Sequence, residues 1–339
     1  MKNHGEIVWR SPSNLAIVKY WGKLEQQIPL NPSLSVSLAK SYTETTMNWE
    51  EGKGEIHYLY EGTVNSIFQN KVIRFIKSLN LDWLNQVNLR FNSFNTFPHS
   101  AGIASSASSM SAIALCLASL ENQITETQGD FNQRASYLAR LGSGSACRSI
   151  YPKASLWGKT EGIEQSSDYY GLDWSAYIHE DFKFLQDYIF IVNKNQKSVS
   201  SSAGHELMNQ HSYKLGRINQ AHENIKLLID ALKNGNWSDF IYIAEEEALS
   251  LHGLMMSSRP GYLLLEPESI KIIQAIRQFR IETKLPLTFS VDAGPNIHML
   301  FPSYIQTKVQ SWLEEMFSDY LKESRIIYDC IGEGPIKLI

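Results

Sequence analysis

Short runs of alternating apolar and polar residues dominate the first third of the chain. They predict β-strands separated by Gly, Pro, Ser and Asn, at Glu6–Trp9, Leu15–Lys19, Ser33–Leu38, Thr43–Trp49 and Ile56–Tyr60. A helix over Val64–Leu79 and a strand at Asn88–Asn92 follow. The pattern therefore predicts a sheet-rich beginning.

From residue 96 onward the pattern becomes helical. A loop of small residues, Ser100–Ser109, runs into a buried helix, and Gly142 ends the next helix. An apolar strand, Phe184–Val192, precedes long helices at Leu215–Asn234 and Trp237–Met255. The remainder alternates, with helices near Pro267–Phe279 and Ile305–Tyr320 and strands near Leu287–Val291, Asn296–Phe301, Arg325–Cys330 and Ile336–Ile339. Such a mixture predicts an α+β protein.

Length and composition fit a globular protein of one large or two medium domains. The chain has 339 residues, of which 43% are hydrophobic and 19% charged. A polar stretch follows the apolar strand near residue 190, so we expect one domain over 1–185 and another over 186–339.

Charge and cysteine usage narrow the partners and the compartment. The net charge of -4 argues against nucleic-acid binding, which needs many phosphate-neutralising cations, but it leaves room for a small anionic ligand. Cys116, Cys147 and Cys330 are few and widely spaced, which favours a reducing, cytoplasmic setting. The longest apolar run, Ala112–Leu120, is far shorter than the ~20 residues that span a bilayer.

The segment Pro98–Ser109 has the composition of a phosphate cradle. Gly102 and its small neighbours allow close backbone approach, a helix N-terminus offers N–H groups, and Ser105 and Ser106 add hydroxyls. It carries neither a Walker A loop nor a dinucleotide-binding fingerprint. The alternative is a tight helix start that packs against another helix.

Further segments carry candidate charges. In Arg140–Ser149, Arg148 follows a flexible serine and glycine stretch and suits a bidentate carboxylate contact, although a helix cap and linker would look similar. Asp292 lies in a turn between two strands, where an ordinary turn residue is the alternative to a general base. Lys19 and Lys23 crowd a strand end, where surface lysines are equally compatible. The histidines show no metal-binding spacing.

Taken in order, these segments resemble the diphosphomevalonate decarboxylases of the GHMP kinase superfamily. The strings Lys19-Tyr-Trp-Gly-Lys23 and Gly142–Ser149 are the most specific. Similar strings follow the family's order along nearly the whole chain, at Asn14–Lys23, Pro29–Leu38, Pro98–Ala107, Gly142–Ser149, Lys197–Ser201, Asp292–Asn296 and Asp329–Pro335.

The resemblance implies a fold and a reaction. The fold is the GHMP kinase fold, with an N-terminal ribosomal-protein-like β/α domain, a C-terminal ferredoxin-like α+β domain and an active site in the cleft between them. ATP would phosphorylate the tertiary C3 hydroxyl of mevalonate 5-diphosphate; phosphate and carbon dioxide would then leave, giving isopentenyl diphosphate for isoprenoid biosynthesis. The resemblance also implies ATP and Mg²⁺ as cofactors, and a homodimer. The net charge and the short apolar runs argue against a nucleic-acid or membrane partner.

The resemblance assigns roles to particular residues. Asp292 would orient or deprotonate the C3 hydroxyl, Lys19 would lie near the developing charge, and Arg148 would grip the substrate carboxylate. Further substrate contacts are implied for Tyr20, Lys23, Ser143 and Ser145. ATP contacts are implied for Pro98, Ser100, Gly102, Ala104, Ser105, Ser106 and Ser108. Mg²⁺ would be held mainly by the ATP phosphates, with Ser106 as a candidate protein ligand.

Departures from the family pattern keep other activities in view. Residues 24–28 read Leu-Glu-Gln-Gln-Ile where many relatives carry an Arg-Asp or Arg-Asn pair, and no arginine lies near Asn209, where some bacterial relatives bind the diphosphate. A decarboxylase of mevalonate 5-phosphate is therefore the main alternative. A mevalonate 3-kinase would be favoured by loss of Asp292, and a non-catalytic binding protein by loss of Asp292, Lys19 or the serine loop; all are present.

Overall fold

Two β-sheets organise the computed structural model, which describes residues 3–98, 103–125, 129–193 and 199–339. The strands are β1 (His4–Val18), β2 (Ser33–Glu51), β3 (Ile56–Tyr60), β4 (Val87–Asn95), β5 (Ala154–Trp157), β6 (Leu172–Asp173), β7 (Leu185–Phe190), β8 (Thr288–Ser290), β9 (Ile297–Pro302), β10 (Ile326–Cys330) and β11 (Ile336–Lys337). The α-helices are α1 (Ser66–Ser78), α2 (Ser105–Thr125), α3 (Phe131–Gly142), α4 (Glu180–Lys183), α5 (Ser201–Leu207), α6 (Lys214–Asn234), α7 (Trp237–Ser257), α8 (Pro267–Thr283), α9 (Gln306–Met316) and α10 (Ser318–Lys322).

The first sheet has the order β11-β1-β2-β4-β3, and β5 and β6 extend it from β2. The second sheet has the antiparallel order β10-β7-β9-β8. These two sheets with their covering helices confirm the predicted α+β organisation. The second sheet begins at Leu185, while β11 returns to the first sheet beside β1. The division into 1–185 and 186–339 stays a prediction.

β1 and β2 are single long strands where the sequence predicts two pairs of short ones. The ladder is interrupted between Pro12, which pairs with Tyr42, and Asn14, which pairs with Ser37, and residues 38–41 of β2 leave the pairing there. Bulges of this kind let a strand bend without ending. The buried carboxylate of Asp329, on β10, accepts the backbone N–H groups of Ala39 (3.0 Å), Lys40 (2.8 Å) and Ser41 (2.7 Å). This contact ties the second sheet to the first.

Three groups of helices cover the two sheets, and two of these groups pack on the first sheet. Helices α1, α2 and α3 form one apolar cluster with the first sheet, and α8 and α9 form another with the second sheet. Helices α6 and α7 pack their apolar residues, such as Ile225 and Phe240, against Leu15 and Ile17 of β1. The end of β1 therefore lies where both halves of the chain meet.

Several short elements were not predicted. These are β5, β6, α4 and α5, which are too short for a periodic pattern to develop. The predicted helix over Ile305–Tyr320 is divided into α9 and α10 at Phe317. In the described part of the chain, no helix combines the length and apolar composition needed to cross a membrane.

Candidate active site

A cleft of about 520 Å³ opens where the two halves meet. Its walls come from the end of β1, the start of α2, a 3₁₀ segment at Gly144–Ile150, the turn after β8 and the start of α5. Helix α1 and strand β3 close one end. Segments that are remote in sequence therefore contribute polar groups to one cavity.

Lys19 and Asp292 meet in the middle of this cleft. The Lys19 ammonium donates to Asp292 Oδ1 at 2.7 Å and to Ser290 Oγ at 2.7 Å. The Lys19 side chain is 2% exposed, whereas that of Asp292 is 23% exposed and reaches the cavity. Asp292 is therefore accessible to a ligand in the cavity, while the buried Lys19 ammonium fixes its carboxylate.

Opposing influences set the ionisation of Asp292. Burial alone would raise its pKa, but the ammonium of Lys19, with His298 and Arg148 further away, more than offsets this and lowers the pKa below the ordinary value. The carboxyl is therefore ionised at neutral pH. Any function that needs its charge is lost only as the pH falls below the usual range of aspartic acid, about 4.

Arg148 is a buried cation without a carboxylate partner among the described residues. Its guanidinium, 2% exposed, donates to Ser33 Oγ (2.5 Å), Ser35 Oγ (3.0 Å) and Asn14 Oδ1 (3.4 Å), all neutral acceptors. Burial lowers its pKa, and Cys147, Asp292 and Tyr20 act in the opposite direction. Since a buried charge is costly until it is paired, an anionic ligand would compensate the guanidinium.

Tyr20 and the Gly144 backbone form one wall beside Arg148. A Cβ on Gly144 would lie 2.7 Å from the Tyr20 hydroxyl, so glycine is needed for this approach. Within the described residues the buried Tyr20 hydroxyl has no hydrogen-bond partner. Ser143, Ser145 and Lys23 also line the cleft, and Lys23 donates to Gln27 Oε1 at 3.0 Å. The predicted substrate-contact residues thus all line one cavity, where Ser143 Oγ accepts a hydrogen bond from Ser106 Oγ at 3.0 Å.

The predicted phosphate loop is only partly described. Ser100 and Gly102 lie outside the described residues, and the exposed Pro98 is the last residue before the gap. Ala104, Ser105 and Ser106 line the cleft at the N-terminus of α2, where helix geometry leaves N–H groups without intrahelical partners.

Ser108 faces away from the cleft. It lies one turn into α2, and its hydroxyl pairs with Thr43 Oγ1 of β2 at 2.7 Å, on the buried side of the helix. Ser105, Ser106 and Ser109 line the cleft, whereas the fully buried Ser108 faces the sheet. The Ser108 side chain therefore does not line the described cleft, and its predicted ATP contact stays a prediction.

Some lining residues carry no local sequence signal. Lys71, on α1, donates to Ser106 Oγ at 3.4 Å; partial burial, with a smaller effect of Lys23, lowers its pKa. His205, on α5, accepts the Gly22 N–H at Nδ1 (2.9 Å), and its ring lies 4.4 Å from that of Tyr20. The end of the cleft away from Arg148 is largely apolar, lined by Tyr58, Tyr60, Ile67, Phe68 and Val72.

The site combines an ionised acid, Asp292, with two buried cations, Lys19 and Arg148, and with serines at the start of α2. This combination suits phosphoryl transfer to an acidic small molecule, as in enzymes of the GHMP kinase type. Two family models, one for each domain, together match most of the chain. The model of the diphosphomevalonate decarboxylase-like N-terminal domain matches residues 11–169, and the model of the mevalonate 5-diphosphate decarboxylase C-terminal domain matches residues 188–336. The chain belongs to the diphosphomevalonate decarboxylase family, which confirms the enzyme class predicted from the sequence.

Individual relatives agree with the family assignment. A diphosphomevalonate decarboxylase from Candida albicans is 26% identical over 96% of each chain, and a phosphomevalonate decarboxylase from Haloferax volcanii is 26% identical over 84% of each. The mevalonate diphosphate decarboxylase structure from Staphylococcus aureus has a TM-score of 0.86 at 27% identity, covering 99% of this chain and 98% of that one. The structure of MDDEF in complex with MVAPP, AMPPCP and magnesium has a TM-score of 0.85 at 27% identity, covering 99% of both chains.

Proposed function

We propose that the protein catalyses the ATP-dependent decarboxylation of mevalonate 5-diphosphate to isopentenyl diphosphate. The observation that carries this proposal is the meeting in one cleft of Asp292, Lys19 and Arg148, a cation to which no described residue offers a carboxylate. A substrate with a hydroxyl, a carboxylate and a phosphate tail needs this combination. The relatives and structural neighbours, which include the MVAPP complex, support the 5-diphosphate over the 5-phosphate.

The ionised Asp292 accepts the hydrogen bond of the C3 hydroxyl and aims its oxygen at the transferred phosphoryl group. Its low pKa makes it a weak base, so it takes the proton as the new O–P bond forms rather than before. Lys19 compensates the charge that gathers at this oxygen. The products of this step are ADP and the C3-phosphorylated acid.

The second step needs only the removal of phosphate and carbon dioxide. The C3–O bond breaks with its electron pair on the departing phosphate, and the electrons of the bond to the carboxylate carbon form the new double bond. Arg148 holds the carboxylate in a bidentate contact until it leaves as carbon dioxide. Tyr20, Lys23, Ser143 and Ser145 hold the substrate's phosphate tail or backbone.

ATP fits the cleft beside the substrate-contact residues, since Ser106 Oγ donates to Ser143 Oγ at 3.0 Å. Ala104, Ser105 and Ser106, with the residues 98–102 before them, would receive its phosphates at the start of α2, and the apolar end beyond Tyr58 would receive the base. The described residues contain no group of three or more His, Cys, Asp or Glu that could hold a metal ion. We place Mg²⁺ mainly on the ATP phosphates, with Ser106 as a candidate hydroxyl ligand, where the ion would neutralise phosphate charge.

Lys71 is expected to act in ATP binding. Replacing Lys71 with alanine removes the ammonium that contacts Ser106, so the KM for ATP should rise ~10-fold, or about 1.4 kcal/mol, while the KM for the mevalonate substrate stays within about twofold. The matched control is Lys77→Ala, on the same helix and away from the cleft lining. An unchanged KM for ATP in Lys71→Ala would remove Lys71 from the nucleotide site.

The substrate is tested by an ADP-release assay with mevalonate, its 5-phosphate and its 5-diphosphate side by side, with product analysis. We expect the highest kcat/KM with the 5-diphosphate and isopentenyl diphosphate as product. A preference for the 5-phosphate would assign the sister decarboxylase activity instead. Phosphorylation without carbon dioxide release would indicate a 3-kinase, and no substrate-dependent ADP release would indicate a binding protein. A cytoplasmic homodimer stays a prediction.

A further inference from the structure

Helix α7 is bonded to the backbone of both members of the Lys19–Asp292 pair. Glu247 Oε2 accepts the Lys19 N–H at 2.8 Å. Five residues further along the helix, His252 Nε2 donates to the Asp292 C=O at 3.1 Å. One rigid element thus bridges two chain segments that lie 273 positions apart.

The contact at Lys19 replaces missing sheet pairing. β1 ends at Val18, so the backbone groups of the buried Lys19 need partners outside the ladder. Glu247 supplies the acceptor for the N–H, while Arg217 Nη2 donates to the Lys19 C=O at 3.0 Å, as does Asn31 Nδ2 at 3.0 Å. Both backbone groups of Lys19 are therefore fixed by side chains.

The carboxylate that holds Lys19 is itself immobilised. Arg217 of α6 donates to Glu247 Oε1 at 2.7 Å and to Oε2 at 2.6 Å, and Asn224 donates to Oε1 at 2.8 Å. The side chains of Arg217 and Glu247 are 1% and 0% exposed. A buried ion pair of this kind contributes little net stability compared with apolar packing. Its contribution to the site is therefore geometric: it fixes the position of the carboxylate that accepts the Lys19 N–H.

His252 is suited to the same task at Asp292. Burial lowers its pKa to about 4, so the ring is neutral at physiological pH and adds no charge beside the carboxylate. Its Nε2–H is a directed donor that fixes the turn after β8. The carboxylate of Asp292 remains directed toward Lys19 and the cavity.

We propose that α7 is the positioning element of the active site, in which Glu247, braced by Arg217, and His252 hold the backbones of Lys19 and Asp292 in register. The inference rests on the proposed function, because it takes Lys19 and Asp292 as the reacting groups. Glu247, Arg217 and His252 are positioning residues: they act through Lys19 and Asp292 without touching substrate.

The first test is the substitution Glu247→Gln, which keeps size and loses charge. The expected result is a fall in kcat of ~10-fold or more with the KM values for both substrates within about twofold, since loosened Lys19 affects the transition state more than binding. The matched control is Glu121→Gln, which also breaks a carboxylate pair with an arginine, Arg134, but on α2 and away from the cleft lining. Unchanged kcat in Glu247→Gln, or an equal loss in Glu121→Gln, overturns the proposal.

The second test uses His252 and does not depend on Glu247 variants folding. His252→Gln keeps an N–H donor near the position of Nε2, whereas His252→Leu has none. We expect the leucine variant to lose kcat ~10-fold or more and the glutamine variant to recover at least half of wild-type kcat. Equal kcat in the two variants overturns the part of the proposal that concerns His252.

A titration of the ligand-free protein separates this proposal from the substrate assignment. Lys19, His298 and Arg148 are the charged groups that lower the pKa of Asp292, and Lys19 is the nearest. If Glu247 holds Lys19 in place, the Asp292 carboxyl, followed by ¹³C NMR, titrates at higher pH in Glu247→Gln than in wild type. An unchanged titration overturns the positioning role. A wild-type enzyme inactive on all three mevalonate substrates would overturn the proposed function, and the titration would still decide the role of α7.

Discussion

The Asp292→Asn variant is expected to lose turnover by ~10³-fold or more while it binds ATP nearly as well as the wild type. The substitution preserves shape but removes the charge that accepts the hydroxyl proton, and general base catalysis is worth ~10²–10⁴-fold. It also leaves the buried Lys19 ammonium without its carboxylate partner at 2.7 Å. The measurements are coupled ADP release for turnover and calorimetry for ATP binding.

The control for this variant should remove an aspartate charge elsewhere. Asp319→Asn is suitable, because its side chain is 86% exposed and lies outside the cleft lining. It should retain wild-type turnover. Full activity in Asp292→Asn would exclude Asp292 as the base, whereas loss of ATP binding as well would show that the variant is misfolded or that Asp292 belongs to the nucleotide site.

The Arg148→Lys variant is expected to lose ~10²-fold in kcat/KM for the mevalonate substrate. Lysine keeps the charge, but an ammonium cannot form the two parallel hydrogen bonds that a guanidinium offers a carboxylate. It is also too short to reach Ser33, Ser35 and Asn14 together, as Arg148 does. Steady-state kinetics at saturating ATP give the measurement.

Stability must be followed in the same experiment, since Arg148 is fully enclosed. Arg134→Lys is the matched control: Arg134 makes a bidentate contact with Glu121 on the far part of α2, outside the cleft lining. We expect Arg134→Lys to keep its kcat/KM. Near-native kinetics of a folded Arg148→Lys protein would contradict a role for Arg148 in carboxylate binding.

Long elements with a clear period were predictable because one periodicity dominates many residues. Helices α6 and α7 lie within two residues of their predicted limits, and β3 has the limits expected. β1 and β2 were predicted as broken strands, since Pro12 and the polar residues near it look like a strand end in sequence. In the fold the ladder continues past them, and Asp329 of β10 accepts the amide N–H groups that the bulge leaves unpaired.

In the candidate site, too, some residues could be predicted from the sequence and others could not. Lys19, Arg148 and Asp292 lie in strings that single them out, and Ser105 and Ser106 lie in a recognisable small-residue segment. Ser108 belongs to the same segment, yet it faces the sheet, because the direction of a side chain on α2 depends on how the helix packs. Lys71, His205 and Glu247 are ordinary helical residues in sequence, and they acquire meaning from neighbours on other elements.

The sequence by itself determined the family, the α+β class and the types of charged group available for chemistry, because these depend on local strings, periodicity and composition. Only the tertiary structure decided which groups meet. Lys19 contacts Asp292 across 273 positions, and Glu247 fixes Lys19 across 228. No local pattern encodes contacts between residues so far apart in sequence. They follow from the packing of α6 and α7 on β1, which excludes water and makes a hydrogen-bond partner valuable to the buried backbone groups of Lys19.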